Sequence, residues 1–194
     1  MANSTATFGF VPVGSADNKG FGGLRAYYIP ASVTAAVGIG DVVTRTVGTN
    51  AAAINGIPAG VLPNCTVEAA DVSSAKAITG VVVGIMPENP FLDIAEQGAG
   101  NKARVVYVMD DLDAEFKVCA ESGATVNVGG NCGFDYVAPS KGKSNVSLKA
   151  TATTAGLPFK VVGVLADPEA SDKTVYVVKI NSSTEQPGAT GINS

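Results

Sequence analysis

Four carboxylates, Asp110, Asp111, Asp113 and Glu115, stand close together, spaced like part of a calcium loop. Oxygen-rich sites of that kind suit a hard divalent cation, but an EF-hand loop also needs Gly at its sixth position and a distal bidentate Glu, and both are missing. The group reads as a solvated turn leading into a strand at Glu115. Gly142-Lys143-Ser144 matches the end of a phosphate-binding loop. That loop requires a Gly five residues earlier, where Val137 stands, and a helix after it, where no helical pattern follows. Gly20-Phe21-Gly22-Gly23 has no strand-to-helix transition behind it, so it is a loop cluster rather than a dinucleotide fingerprint.

The chain contains no His. Triads built on His, HExxH zinc sites and Cys-His fingers are thereby excluded, since each uses imidazole as base or ligand. A Ser-Lys dyad or a glycosidase-type carboxylate pair needs two groups that the sequence does not single out. The expectation is a protein that is not an enzyme and takes no cofactor or metal. With no Trp and 6% aromatic residues, a sugar-stacking groove is also poorly supported.

Cys65, Cys119 and Cys132 cannot pair completely within one chain and form no CxxC, so they read as buried free thiols of a reducing compartment. The start of the chain lacks a basic, then apolar, signal pattern, and no apolar run approaches the roughly 20 residues of a membrane span. A soluble protein made in a cytosol, with no membrane partner, is expected. The Asn-x-Ser/Thr triplets at Asn3, Asn64, Asn145 and Asn181 are then chance matches. A net charge of -4 opposes a phosphate-neutralising surface, so no nucleic-acid partner is expected.

The elements that carry these residues are strands. Runs rich in Val, Ile, Tyr, Thr and Phe alternate with Gly, Pro, Asn and Asp, the spacing of a sandwich or barrel. Strands are predicted over 24–29, 41–47, 77–86, 103–109, 115–119, 146–151, 159–165 and 174–181. The alternation in 146–151 predicts a half-exposed strand, whereas the continuous apolar runs at 80–86 and 161–165 predict central strands covered on both faces. Asn55-Gly56 suits a tight hairpin turn, and Ser122-Gly123 and Gly129-Gly130-Asn131 are further reversal points. One short helical turn is predicted over 90–97. Domain organisation follows: an extended N-terminal arm at 1–15, a β-barrel or sandwich domain at 16–181, and a flexible C-terminal tail at 182–194.

Phe8, Phe10, Val11 and Val13 in the arm, and Arg25, Tyr27 and Tyr28 in the first strand of the domain, are the candidate interface residues. Arg and Tyr are enriched at interfaces, while a surface salt bridge accounts equally well for Arg25.

Several segments together resemble the capsid cement, or decoration, proteins of tailed bacteriophages. They are Phe8-Gly9-Phe10-Val11-Pro12-Val13, then Arg25 to Pro30, Gly40-Asp41-Val42-Val43, and the central Val105 to Asp111 followed by Ala114 to Val118. Gly142 to Leu148, Leu157 to Gly163 and Val175 to Asn181 follow in the same order. The chain departs from the pattern at Leu112, where Pro is expected, and at Cys119, where Gln is usual. The resemblance implies an all-β barrel or jelly-roll-like fold, no catalysis, and binding to the major capsid protein on the outer surface of the virion at local symmetry axes. Assembly would take place in the bacterial host cytoplasm. A homo-oligomer, trimer or dimer, is expected, with an arm able to pair with a neighbouring sheet edge. On this reading, removing residues 1–14 leaves the fold intact and weakens capsid attachment. The alternative is a host-surface adhesin or carbohydrate-binding β-sandwich module of the virion.

Overall fold

The computed structural model describes residues 8–15, 23–87, 98–121, 125–149, 156–165, 174–181 and 183–184. These residues are all-β. The strands are β1 (Val11–Ser15), β2 (Leu24–Ile29), β3 (Val42–Thr49), β4 (Pro63–Val67), β5 (Gly80–Ile85), β6 (Arg104–Met109), β7 (Ala114–Cys119), β8 (Asn131–Asp135), β9 (Ser147–Lys149), β10 (Phe159–Leu165) and β11 (Val175–Ile180). Among the described residues no helix is long and apolar enough to cross a membrane. The predicted turn at 90–97 and the reversal at Ser122-Gly123 lie outside the described residues.

Strands β2-β4-β3-β5-β6 close into a barrel, and β1-β7-β11-β10-β8-β9 form a six-stranded sheet. The two-residue period of a strand explains how they share one interior. Val43, Val82, Val106 and Val108 join Tyr27, Ile29, Cys65 and Val67 in one buried cluster of the barrel strands. Their neighbours Val42, Val81 and Met109 belong to a second cluster with Phe116, Phe134, Phe159, Val161 and Val178 of the six-stranded sheet. Strands β3, β5 and β6 therefore bury side chains on both faces, which is why the Val-rich run at 80–86 carries so little alternation.

Two other strands differ from their predicted exposure. In β10, Val161 is buried but Val164 and Leu165 are 53% and 41% exposed, so the run is covered along only part of its length. In the predicted half-exposed strand, Val146, Ser147 and Leu148 are all buried. There β9 pairs with β8 on one side, and on the other the Glu121 amide donates to the Leu148 carbonyl (2.9 Å). Strands β4 and β8 went unpredicted because Pro63, Asn64 and Gly133 interrupt their β-type composition. Gly133 is required there, since a Cβ would lie 1.7 Å from the Val72 carbonyl oxygen.

Asn55 and Gly56 have φ of 50° and 79°, and Ile54 and Ile57 exchange both main-chain hydrogen bonds across them (3.0 and 2.8 Å). This is the tight turn that Asn-Gly predicts. Lys141 and Gly142 repeat the geometry, with φ of 51° and 72° and two bonds between Ser140 and Lys143. The phosphate-loop-like tripeptide is thus half of a hairpin turn.

The described part of the predicted arm lies on its own domain. Strand β1 pairs antiparallel with β7, and the Phe10 ring, 1% exposed, sits in the core shared by the two sheets. The main-chain pairing of Val11–Ser15 is made within the chain. At the other end, Ser183 is buried and Thr184 donates its amide to Ile78 (2.8 Å), so the first residues beyond β11 dock on the barrel.

Candidate interaction surface

Phe10 anchors β1 by more than its ring. Its amide donates to the Gly40 carbonyl (3.1 Å), and Gly40 donates its own amide to Val82 (2.8 Å), so the start of β1 is tied to the barrel. The chain reaches that position through Gly9, at φ of 67°, where a Cβ would fall 2.4 Å from the Ser144 Cβ. Along this seam runs a cleft of about 250 Å³ lined by Phe8, Phe10, Val11, Pro12, Ile39, Val83 and Lys143. A second cleft of about 360 Å³, lined by Pro12, Leu24, Val83 and Met109, shares Pro12 and Val83 with it. Together they make one largely apolar groove.

The outer edge of β1 is poorly suited to extending the sheet. Pro12 supplies no amide hydrogen, and the register slips between Pro12 and Gly14, leaving Val13 in a bulge and 42% exposed. Proline and bulges are devices that blunt sheet edges. This edge offers side chains rather than a ladder.

Arg25, Tyr27 and Asp110 come together at the neighbouring corner. The Tyr27 hydroxyl donates to Asp110 Oδ2 (2.9 Å), and Arg25 Nε lies 3.4 Å from the same oxygen. The register of β2 with β6, Leu24 opposite Met109, places Asp110 just beyond the paired residues. Asp110 has a side chain only 4% exposed, so this member of the acidic group is not in a solvated turn. The other members point to separate partners: Asp111 Oδ1 accepts the Asp113 amide (2.9 Å), and Asp113 lies 3.5 Å from Lys179 Nζ. No group of three or more acidic, Cys or His side chains able to hold a metal is found among the described residues.

The remaining buried polar groups brace the scaffold. Asp41 Oδ2 accepts the Gly38 amide (2.7 Å), while its Oδ1 meets no donor at hydrogen-bonding geometry among the described residues. Burial raises its pKa to about 6, against the smaller opposing pull of the Ser144 side chain and the Gly38 amide. Arg104, 1% exposed, donates to the carbonyls of Ala99, Lys102 (2.8 Å) and Ala35 (2.7 Å), fastening 98–102 to the segment before β3. Burial lowers its pKa. Burial also pushes the Cys65 and Cys132 thiols up to about 12, so neither supplies appreciable thiolate near neutrality.

The seven predicted interface residues fall at the groove, on the β1 bulge and along β2. Phe8, Phe10 and Val11 line the groove, Val13 stands on the bulge, and Arg25 and Tyr27 meet at Asp110. Phe10 and Tyr27 are interior residues of this chain. Tyr28 is half-buried opposite Val105 and Asn64. Phe8 is half-buried, with Lys117 Nζ 5.3 Å from its ring centroid. Sequence reasoning passed over Leu24, 55% exposed at the mouth of the groove, and Val83 in its wall.

Comparison with protein-family models, with curated proteins and with solved structures yields no match.

Proposed function

We propose that this chain is a structural virion protein of the cement type, binding the outer surface of an icosahedral capsid and stabilising the lattice of its major capsid protein. The observation that carries the reading is the apolar groove along β1, flanked by exposed Val13 and Leu24 on a braced two-sheet scaffold. Apolar side chains gathered at a groove mark an association site more than a solvated face. A charged fraction of 15%, against roughly 25% in an average soluble protein, agrees with a surface made for burial. A non-catalytic role without cofactor, a homo-oligomeric state and a single barrel- or jelly-roll-like domain belong to the same proposal.

Capsid shells stripped of accessory proteins, mixed with the purified chain and imaged by electron cryo-microscopy, test it. Ordered density at symmetry axes is expected, with occupancy reduced by Val13→Asp. Bare shells in the presence of folded protein would overturn the reading, and a glycan-array signal from the same preparation would favour the adhesin alternative.

A further inference from the structure

We propose that Asn55 is a site of spontaneous, backbone-assisted deamidation whose rate is set by the Asn50-braced loop that carries it. Of the asparagines in the chain, Asn55 alone is followed by glycine. Both residues of the pair are exposed, at the tip of the hairpin that Ile54 and Ile57 close. The space beside Gly56 is open, and no Cβ there hinders approach to its nitrogen. Among the described residues the Gly56 amide has no main-chain acceptor and the Asn55 carboxamide has no partner. The nucleophile and the electrophile of an intramolecular ring closure are thus adjacent, hydrated and unshielded.

The reaction needs only water and a solvent base. Base takes the Gly56 amide proton, and that nitrogen bonds to the Asn55 Cγ while the Cγ–Nδ2 bond breaks and Nδ2 leaves, reprotonated, as ammonia. Water then opens the cyclic imide. Attack at Cγ restores the ordinary main chain with an aspartate side chain, whereas attack at the Asn55 main-chain carbonyl leaves the chain running through Cγ as isoaspartate. Either product places a negative charge in the span from Thr46 to Val67, which contains no charged residue. Isoaspartate also adds a methylene to a two-residue turn, so the two Ile54–Ile57 bonds (3.0 and 2.8 Å) cannot both persist.

The fold sets the rate. With φ of 50° and 79°, Asn55 and Gly56 are held in the tight turn, and bringing the Gly56 nitrogen onto Cγ rotates the peptide plane between them out of it. The Ile54–Ile57 bonds must part for this to happen. Around them, the buried Asn50 side chain donates to the Ala52 (3.0 Å) and Pro58 (2.8 Å) carbonyls and accepts from the Val61 (3.0 Å) and Leu62 (2.9 Å) amides. All four side-chain hydrogen-bonding positions of that amide are used, and the hairpin forms within the span they close. Conversion therefore proceeds through local opening of the loop, which Asn50 opposes.

Incubation of the full chain in mildly alkaline buffer made with heavy-oxygen water, followed by digestion and mass-spectrometric mapping, tests the site without any partner. Aspartate and isoaspartate carrying one heavy oxygen are expected at position 55 ahead of every other described asparagine, accumulating faster as pH rises. The same chain unfolded in urea is expected to convert faster at this position. Asn50→Ala, with folding checked by circular dichroism, is expected to fall between the two. A native chain that stays unconverted at position 55 while the unfolded chain converts, or that converts first at another described asparagine, would overturn the site. Equal rates in the native and unfolded chains, or a folded Asn50→Ala no faster than wild type, would overturn control by the loop.

Discussion

The Phe10 ring stacks on that of Phe159, centroids 4.2 Å apart and planes inclined by 18°, while Phe134 meets both edge-on at 6.1 Å. Through this contact the N-terminal segment becomes part of the core that joins β10 and β8 to the barrel. Phe10→Ala is expected to cost about 3–5 kcal/mol, as for other buried aromatic truncations. Removal of residues 1–14 is expected to cost more, because most of β1 and the Phe10 amide bond to Gly40 go with the ring. That ranking departs from the sequence-based expectation, in which the deletion leaves the fold intact. Chemical denaturation of the two variants checks the order.

Asp41 gives stability a slope in acid. Its carboxyl has a usual pKa of 3.8 and titrates near 6 in the folded chain, so between those values the folded state retains a proton that the unfolded state has released. The contribution is therefore unfavourable as pH rises through this window, reaching about 3 kcal/mol above pH 6 and remaining level beyond. Asp41→Asn keeps an acceptor for the Gly38 amide and removes the charge. The variant is expected to gain stability relative to wild type as pH increases from 4 to 6.5. A constant difference across that range would contradict the assignment.

The corner at Asp110 separates a buried bond from an exposed one. Tyr27→Phe deletes the hydroxyl that bonds the buried carboxylate and is expected to cost about 1–2 kcal/mol. Arg25 has a side chain 64% exposed, so Arg25→Ala is expected to cost less than about 1 kcal/mol, and less still in high salt. Urea midpoints at low and high ionic strength distinguish the two effects.

Asn50 controls the order of the 50–62 loop. Asn50→Ala removes the acceptor of the Val61 and Leu62 amides and the donor to two carbonyls. Faster hydrogen exchange at those two amides is expected, with protection unchanged in β10 and β11. Uniform acceleration across the chain would show that the loop unfolds only with the whole domain.

The thiols report on core integrity. Cys65, Cys119 and Cys132 are all buried. For Cys65 and Cys132 the rise from 9.0 to about 12 lowers the thiolate fraction near neutral pH about a thousandfold. Slow modification of the native protein and rapid modification in denaturant are expected. A native thiol that reacts as fast as a small-molecule thiol would place it at the surface.

Composition and local pattern were enough for the all-β class, for β2 with its limits at Leu24 and Ile29, and for the Asn55-Gly56 turn, because each depends on residues adjacent in the chain. The absence of His likewise limited the available chemistry before any geometry was known. Tertiary structure alone decided that Phe10 is a core residue, that Tyr27 and Asp110, 83 positions apart, share a hydrogen bond, and that residues from β1, β2, β5 and β6 line one groove. The local sequence around Phe10 is compatible with a free extended segment or an edge strand. Choosing between them requires the energy of burying its ring against Phe134 and Phe159, and those partners arrive only when distant strands assemble.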